Sequence, residues 1–146
     1  MSKLSRFLEY AAAFEQTFAD DNWGRLDPFF TETAEYKVTG LPASCELIGR
    51  DAIFRGIRKS LDGFDRKMTS REIVASEPPT EEGDTVTLKG FVRYSRGAAP
   101  PIELHAVIVA RFEGDRIAAM HDTFTLDGAA MKWLGANAAD LDGSYV

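Results

Sequence analysis

One carboxylate stands where an apolar side chain belongs. The stretch Ile102–Leu126, IELHAVIVARFEGDRIAAMHDTFTL, alternates apolar and polar residues around the turn signal Glu113-Gly114-Asp115. It also carries both histidines, His105 and His121. The parity of the loop decides which side chains share a face. With an odd loop, Ala106 lies opposite Asp122, Ile108 opposite Met120 and Leu104 opposite Phe124. One face then holds Leu104, Ala106, Ile108, Ala110, Ala118, Met120 and Phe124, with Asp122 as its only charge. The other holds Glu103, His105, Val107, Val109, Arg111, Ala119, His121 and Thr123. An even loop would join His105 and Asp122 on one face. The odd loop is preferred because it separates apolar from mixed positions, as a sheet with one buried face requires.

An isolated carboxylate among aliphatic side chains loses hydration, which favours its neutral form and raises its pKa. Such a group can exchange protons near neutral pH. Asp122 is therefore the first catalytic candidate. The competing assignment is a structural aspartate satisfied by Tyr36, Lys89, Arg93 or backbone amides. Tyr36 is the second candidate; its alternative is a core aromatic with a satisfied hydroxyl. His105 and His121, on the opposite face, suit interface hydrogen bonds better than a metal. Only Glu103 stands near them as a further ligand, so no metal is expected. Cys45 lies in a loop without an evident base, which argues against nucleophilic catalysis.

Composition narrows the class. A chain of 146 residues, 45% hydrophobic, suits one domain over residues 1–146 with a single core. A net charge of −6 and scattered basic residues argue against nucleic acid. The single cysteine allows no internal disulfide, and a cytoplasmic location fits. The opening MSKLSRFLEY lacks an apolar signal core, and no run is long enough to span a bilayer.

These residues need elements to position them. Helical spacing of Leu4, Phe7, Leu8, Ala11, Phe14 and Phe18 predicts a helix over 2–20, with Ser2 as N-cap. A short second helix over 21–30 turns Trp23, Leu26, Phe29 and Phe30 inward. A strand is expected at 33–39, a loop at 40–47 marked by Gly40 and Pro42, and a helix at 49–63. Strands follow at 66–76 and 85–94, with an acidic solvated turn, EPPTEEGD, between them. In the second of these strands the facing is open. Val86, Leu88, Val92 and Tyr94 alternate with Thr87, Lys89, Phe91 and Arg93, and Gly90 can mark a bulge that changes sides. After the hairpin, Asp127 caps a last helix to about Ala139, and DLDGSYV reads as a tail. The order is α+β: helices first, then a curved antiparallel sheet. Helices laid across its concave face make a cone with room for a pocket. The expected lining is Phe14, Trp23, Val38, Phe91, Leu104, Ala106, Ile108, Met120 and Phe124.

DNWGRLDPFFTETAEY, then GRDAI opening a helix, then a meander ending RFEGDRIAAMHDTF, resembles the nuclear transport factor 2-like superfamily, which has a cystatin-like fold. Within it the chain is most similar to SnoaL-like, polyketide cyclase-like proteins. The resemblance covers roughly residues 4 to 126. It implies a homodimer formed through the convex sheet face, here His105, Val107, Val109 and His121. Steroid-isomerase members use a helix tyrosine and two strand aspartates; the matching positions are Phe14, Val38 and Ile108, which lack those groups. In SnoaL-like cyclases and epoxide-hydrolase-like members the last strand carries an aspartate in a Trp-x-Asp context. Asp122 matches it, with Met120 in place of tryptophan. The hydrolases' Tyr-x-Asn and Arg-x-Asp pairs correspond to Tyr36-x-Val38 and Lys89-x-Phe91. The cyclases' histidine on the preceding strand corresponds to Ile108.

Two functions remain open at this level. One is a cofactor-free lyase, cyclase or isomerase acting on a small apolar molecule by proton transfer through Asp122. The other is a non-catalytic, dimeric ligand-binding or accessory protein.

Overall fold

The computed structural model describes residues 2–40 and 44–146. Pro42, one of the expected loop markers, lies outside the described residues. Helix α1 spans Lys3–Asp20, and the Ser2 Oγ caps it by accepting from the Ser5 N–H. Phe7, Tyr10 and Thr17 are its buried residues. Leu8, expected on the same stripe, is 49% exposed. At about 100° per residue, a stripe centred on positions 7, 10, 14 and 17 leaves position 8 on the flank. Residues Trp23–Phe29 form a 3-10 segment rather than an α-helix, with Pro28 inside it.

Strand β1 (Phe30–Thr39) starts earlier than expected, and the anticipated loop contains a strand, β2 (Cys45–Ile48), paired with it. Helix α2 (Arg50–Gly63) follows. The strand expected at 66–76 is shorter. A 3-10 turn takes Asp65–Lys67, and β3 occupies Ser70–Ala75. The acidic stretch is exposed but forms β4 (Thr80–Glu82), where the Glu81 Oε1 accepts from the Leu4 N–H. Strands β5 (Thr85–Ser95), β6 (Ile102–Glu113) and β7 (Arg116–Thr125) complete the curved sheet, and α3 spans Gly128–Asn137.

The sheet order is β2-β1-β7-β6-β5-β3, with β4 beside β5. Its pairs are antiparallel except β1 with β7, which run parallel. This pairing brings the first strand next to the last and sets β7 inside the sheet. The concave face buries Ala34, Tyr36, Val38, Val86, Ala110, Phe112, Ile117 and Met120 against α1 and α2. Asp127 caps α3 through Oδ1, which accepts from the Ala130 N–H at 2.7 Å. Trp133 of α3 then packs with Tyr94, Ile102 and Leu104 in a second cluster.

The hairpin reaches the expected facing by a different route. Gly114 and Asp115 form a two-residue turn, with Gly114 at φ +62. Glu113 pairs with Arg116 and Phe112 with Ile117, after which the register shifts and Arg111 pairs with Ala119. Ala118 is the extra residue of this bulge. The expected partner of Asp122 is corrected from Ala106 to Ile108, and that of Phe124 from Leu104 to Ala106. A shift of two preserves parity, so Asp122 still shares a face with Ala106, Ile108, Met120 and Phe124.

Strand β5 runs without a bulge at Gly90. Leu88 pairs with Ile108, Gly90 with Ala106 and Phe91 with His105. Gly90 marks a close approach instead: a Cβ there would stand 2.3 Å from the Val74 carbonyl oxygen. No helix among the described residues is long and apolar enough to cross a membrane.

Candidate functional site

Asp122 is held from both sides by neighbouring strands, opposite Val38 of β1 and Ile108 of β6. Its side chain enters the cone interior, where the residue is only 8% exposed. Tyr36, two residues before Val38 on the same face, donates its hydroxyl to the Asp122 Oδ2 at 2.6 Å. The Asp122 Oδ1 is buried and has no hydrogen-bond partner among the described residues.

The electrostatics follow from this geometry. Loss of hydration pushes the Asp122 carboxyl up to about 7, against the lowering effect of the Tyr36 hydrogen bond. The same burial, with the nearby Asp122 charge, pushes the Tyr36 phenol well above its ordinary value. Tyr10, reaching in from α1, is raised for the same two leading reasons. The pair therefore has one group that changes protonation near neutral pH and one that stays a donor. A carboxylate at Asp122 can take a proton through Oδ1 while Tyr36 steadies the charge on Oδ2.

The expected lining divides into four groups. Val38 and Ile108 flank Asp122 directly, while Ala106 and Phe124 pair one step along the same face. Met120 is buried on that face beside Tyr36, and Phe14 and Trp23 pack together against the core with ring centroids 6.4 Å apart. Leu104 belongs to the Trp133 cluster, on the α3 side. Phe91 is corrected: it lies on the convex face, its ring 5.3 Å from His105 and beneath the Arg93 guanidinium. Strand β5 takes its phase from β6, and the pairing of Leu88 with Ile108 turns Phe91 outward.

His105 and His121 both lie on the convex side. The His121 Nε2 is 2.9 Å from the Thr39 Oγ1, and His105 is 3.9 Å from Glu103. Val109 pairs with His121 and Val107 with Thr123, the same shift of two that moves Asp122. A groove of about 360 Å³ crosses this outer face past Glu35, Ile48, Val109 and His121, and Asp122 is not among its lining residues. Burial, with a smaller contribution from Asp122, raises the Cys45 thiol, which suits a packing role.

Three polar residues of the interior carried little signal in the sequence. Tyr10 follows Phe7 and precedes Phe14 at helical spacing, so the α1 pattern contained it. Ser60 falls on the buried stripe of α2 with Ile53 and Ile57, whereas Tyr145 had no periodic context. Tyr145 nevertheless sits against Tyr36, with ring centroids 6.0 Å apart and planes at 64°. The stretch expected as a tail is folded against the body of the protein.

Comparison with known proteins matches this geometry to a family. The model of the SnoaL-like domain matches residues 10–120. A nuclear transport factor 2-like protein from Anabaena variabilis superposes with a TM-score of 0.68 at 16% identity, covering 86% of this chain and 91% of that one. One of unknown function from Burkholderia pseudomallei gives 0.63 at 17%, covering 90% and 95%. TerC, crystallised with polyporic acid, gives 0.61 at 16%, covering 87% and 95%. At these identities the structures establish a shared fold. A search of curated protein sequences found no match. With the family model spanning most of the cone, from α1 into β7, the chain belongs to the SnoaL-like domain family.

Proposed function

We propose that the protein is a cofactor-free proton-transfer catalyst of the lyase, cyclase or isomerase kind, acting on a small apolar molecule. The supporting observation is the Asp122 carboxyl: buried, held at Oδ2 by Tyr36, unpaired at Oδ1 and raised to about 7. In the ionised form, Oδ1 removes a proton from a carbon acid of the substrate. The bonding pair stays on the substrate as an enolate. Return of the proton from Oδ1 to another carbon of the enolate completes an isomerisation; attack of the enolate carbon on a second carbonyl of the substrate, whose π pair moves to its oxygen and takes the proton from Oδ1, completes a cyclisation. Tyr36 donates throughout and keeps the carboxylate from being wholly unpaired. The aliphatic walls, Val38 and Ile108, favour an apolar substrate.

The proposal includes a homodimer through the convex face, where Val107 and Val109 lie among Phe91, His105 and His121. A reducing compartment such as the cytoplasm suits the free Cys45. Binding without chemistry is the competing reading. The packing of Tyr145 over Tyr36 favours it, because a closed interior suits retention of a ligand.

Deuterium uptake distinguishes the two. Cyclohexanone and acetophenone, small apolar ketones whose α-hydrogens exchange slowly in neutral buffer, are incubated with the protein in D2O and read by mass spectrometry. Catalysis predicts incorporation above the buffer rate that Asp122→Asn abolishes while the fold is kept. Incorporation no faster than with the Asn variant, together with an Asp122 carboxyl titrating near 4 by carbon NMR, would falsify it.

A further inference from the structure

Residues 138–146 form a strap across α2. Its attachments are specific. The Asp142 N–H donates to the Gly63 carbonyl at 3.0 Å, and the Ser60 hydroxyl donates to the Gly143 carbonyl at 2.7 Å. Lys67 Nζ reaches the Asp140 carbonyl at 2.6 Å, Arg96 pairs with the Asp140 carboxylate, and Lys59 Nζ reaches the Ser144 hydroxyl at 3.2 Å.

The bed of the strap is built from glycine. Gly56 and Gly63 lie two turns apart on one side of α2. A Cβ at Gly63 would stand 1.8 Å from the Asp142 carbonyl oxygen, and one at Gly56 would stand 2.9 Å from that of Tyr145. A side chain at Gly63 would lift the strap off the helix, while one at Gly56 would press on both Leu47 Cδ1, 2.5 Å away, and the strap.

What the strap delivers is the Tyr145 ring. It packs against the core and against Tyr36, and its hydroxyl lies near the Ser60 and Tyr36 side chains. Burial, and then the Asp122 charge, raise its pKa. Apart from the Tyr145 ring, the attachments are surface ion pairs and single hydrogen bonds, each of which contributes little by itself. Segments held this way open far more readily than a core strand.

We propose that the strap is a removable gate, and that its Tyr145 phenol holds the ligand's place beside Tyr36 and Asp122 until a ligand displaces it. The proposal rests on the Asp122 site being where a ligand binds. It does not require that site to be catalytic. A gate of this kind lowers apparent affinity by the fraction of molecules that are open.

The probe is p-cresol, the free counterpart of the tyrosine side chain, read at the carbon NMR resonance of the Asp122 carboxyl. Three full-length proteins are compared: wild type, Gly63→Ala, which wedges the strap, and Tyr145→Ala, which removes the occupant. Deuterium exchange over residues 138–146 reports whether the strap has left. We expect Gly63→Ala to lose that protection, and both variants to bind p-cresol at least tenfold more tightly than wild type. Equal binding by all three proteins overturns the gate. So does failure of Tyr145→Ala to bind p-cresol at all. Should Gly63→Ala unfold or keep its strap, the Tyr145→Ala comparison still decides. A tenfold gain in both variants alongside unchanged turnover in Asp122→Asn would remove the catalytic proposal and leave the gate standing.

Discussion

The proton on Asp122 links the site to the stability of the fold. Its folded pKa of about 7 lies above the unfolded value near 3.8, so the folded state binds more protons between those limits. Stability from this group is full below about pH 4 and is lost as pH rises through about 7. The loss is up to about 4 kcal/mol on a scale of 1.36 kcal/mol per unit. Urea unfolding at pH 5 and pH 8 should show this decline in the wild type and a flatter dependence in Asp122→Asn. Tyr36→Phe removes the hydrogen bond that lowers the Asp122 pKa, so the carboxyl should titrate above its wild-type value. Leaving Oδ2 unpaired should cost about 1–3 kcal/mol in the same unfolding assay. Asp122 and Tyr36 were legible because each is a polar group on an apolar strand face. Tyr145 was not, because DLDGSYV has no helical or strand periodicity and its partners, Tyr36 and Ser60, are far away along the chain.

At the level of elements, the two faces of the β6–β7 hairpin were legible although its pairing was not. The alternation fixes parity, whereas a tight turn followed by a bulge at Ala118 fixes the pairs, and only the parity is written in the pattern. Strand β5 failed for a related reason. TVTLKGFVRYS carries large apolar residues on both phases, so only its partner strand can choose between them. Gly90 shows what that choice demands: β3 passes so close that Gly90→Ala sets a Cβ against the Val74 carbonyl. We expect this substitution to destabilise by about 1–3 kcal/mol, visible as a lower urea midpoint with an unchanged slope. The α-helices were read nearly end to end, since caps at Ser2 and Asp127 are local signals.

For the molecule as a whole, the α+β cone was predictable from the order of its elements, but the parallel junction of β1 with β7 was not. Local periodicity says nothing about which edges meet. The outer face carries the dimer proposal, and Val109→Asp tests it. A charge beside His121 at the centre of that face should shift the protein from dimer to monomer in light scattering, without changing its circular dichroism. The β1–β7 junction has a consequence in time as well as in space. Tyr36 and Asp122 are 86 residues apart, and the bond between them waits for the chain to close that loop. Pairing of β5, β6 and β7 needs only neighbouring segments and can precede it. During refolding, the β5–β7 part of the sheet can therefore carry Asp122 before Tyr36 is brought beside it. The raised proton affinity of the carboxyl then comes with burial, and closing the Tyr36 bond trims it.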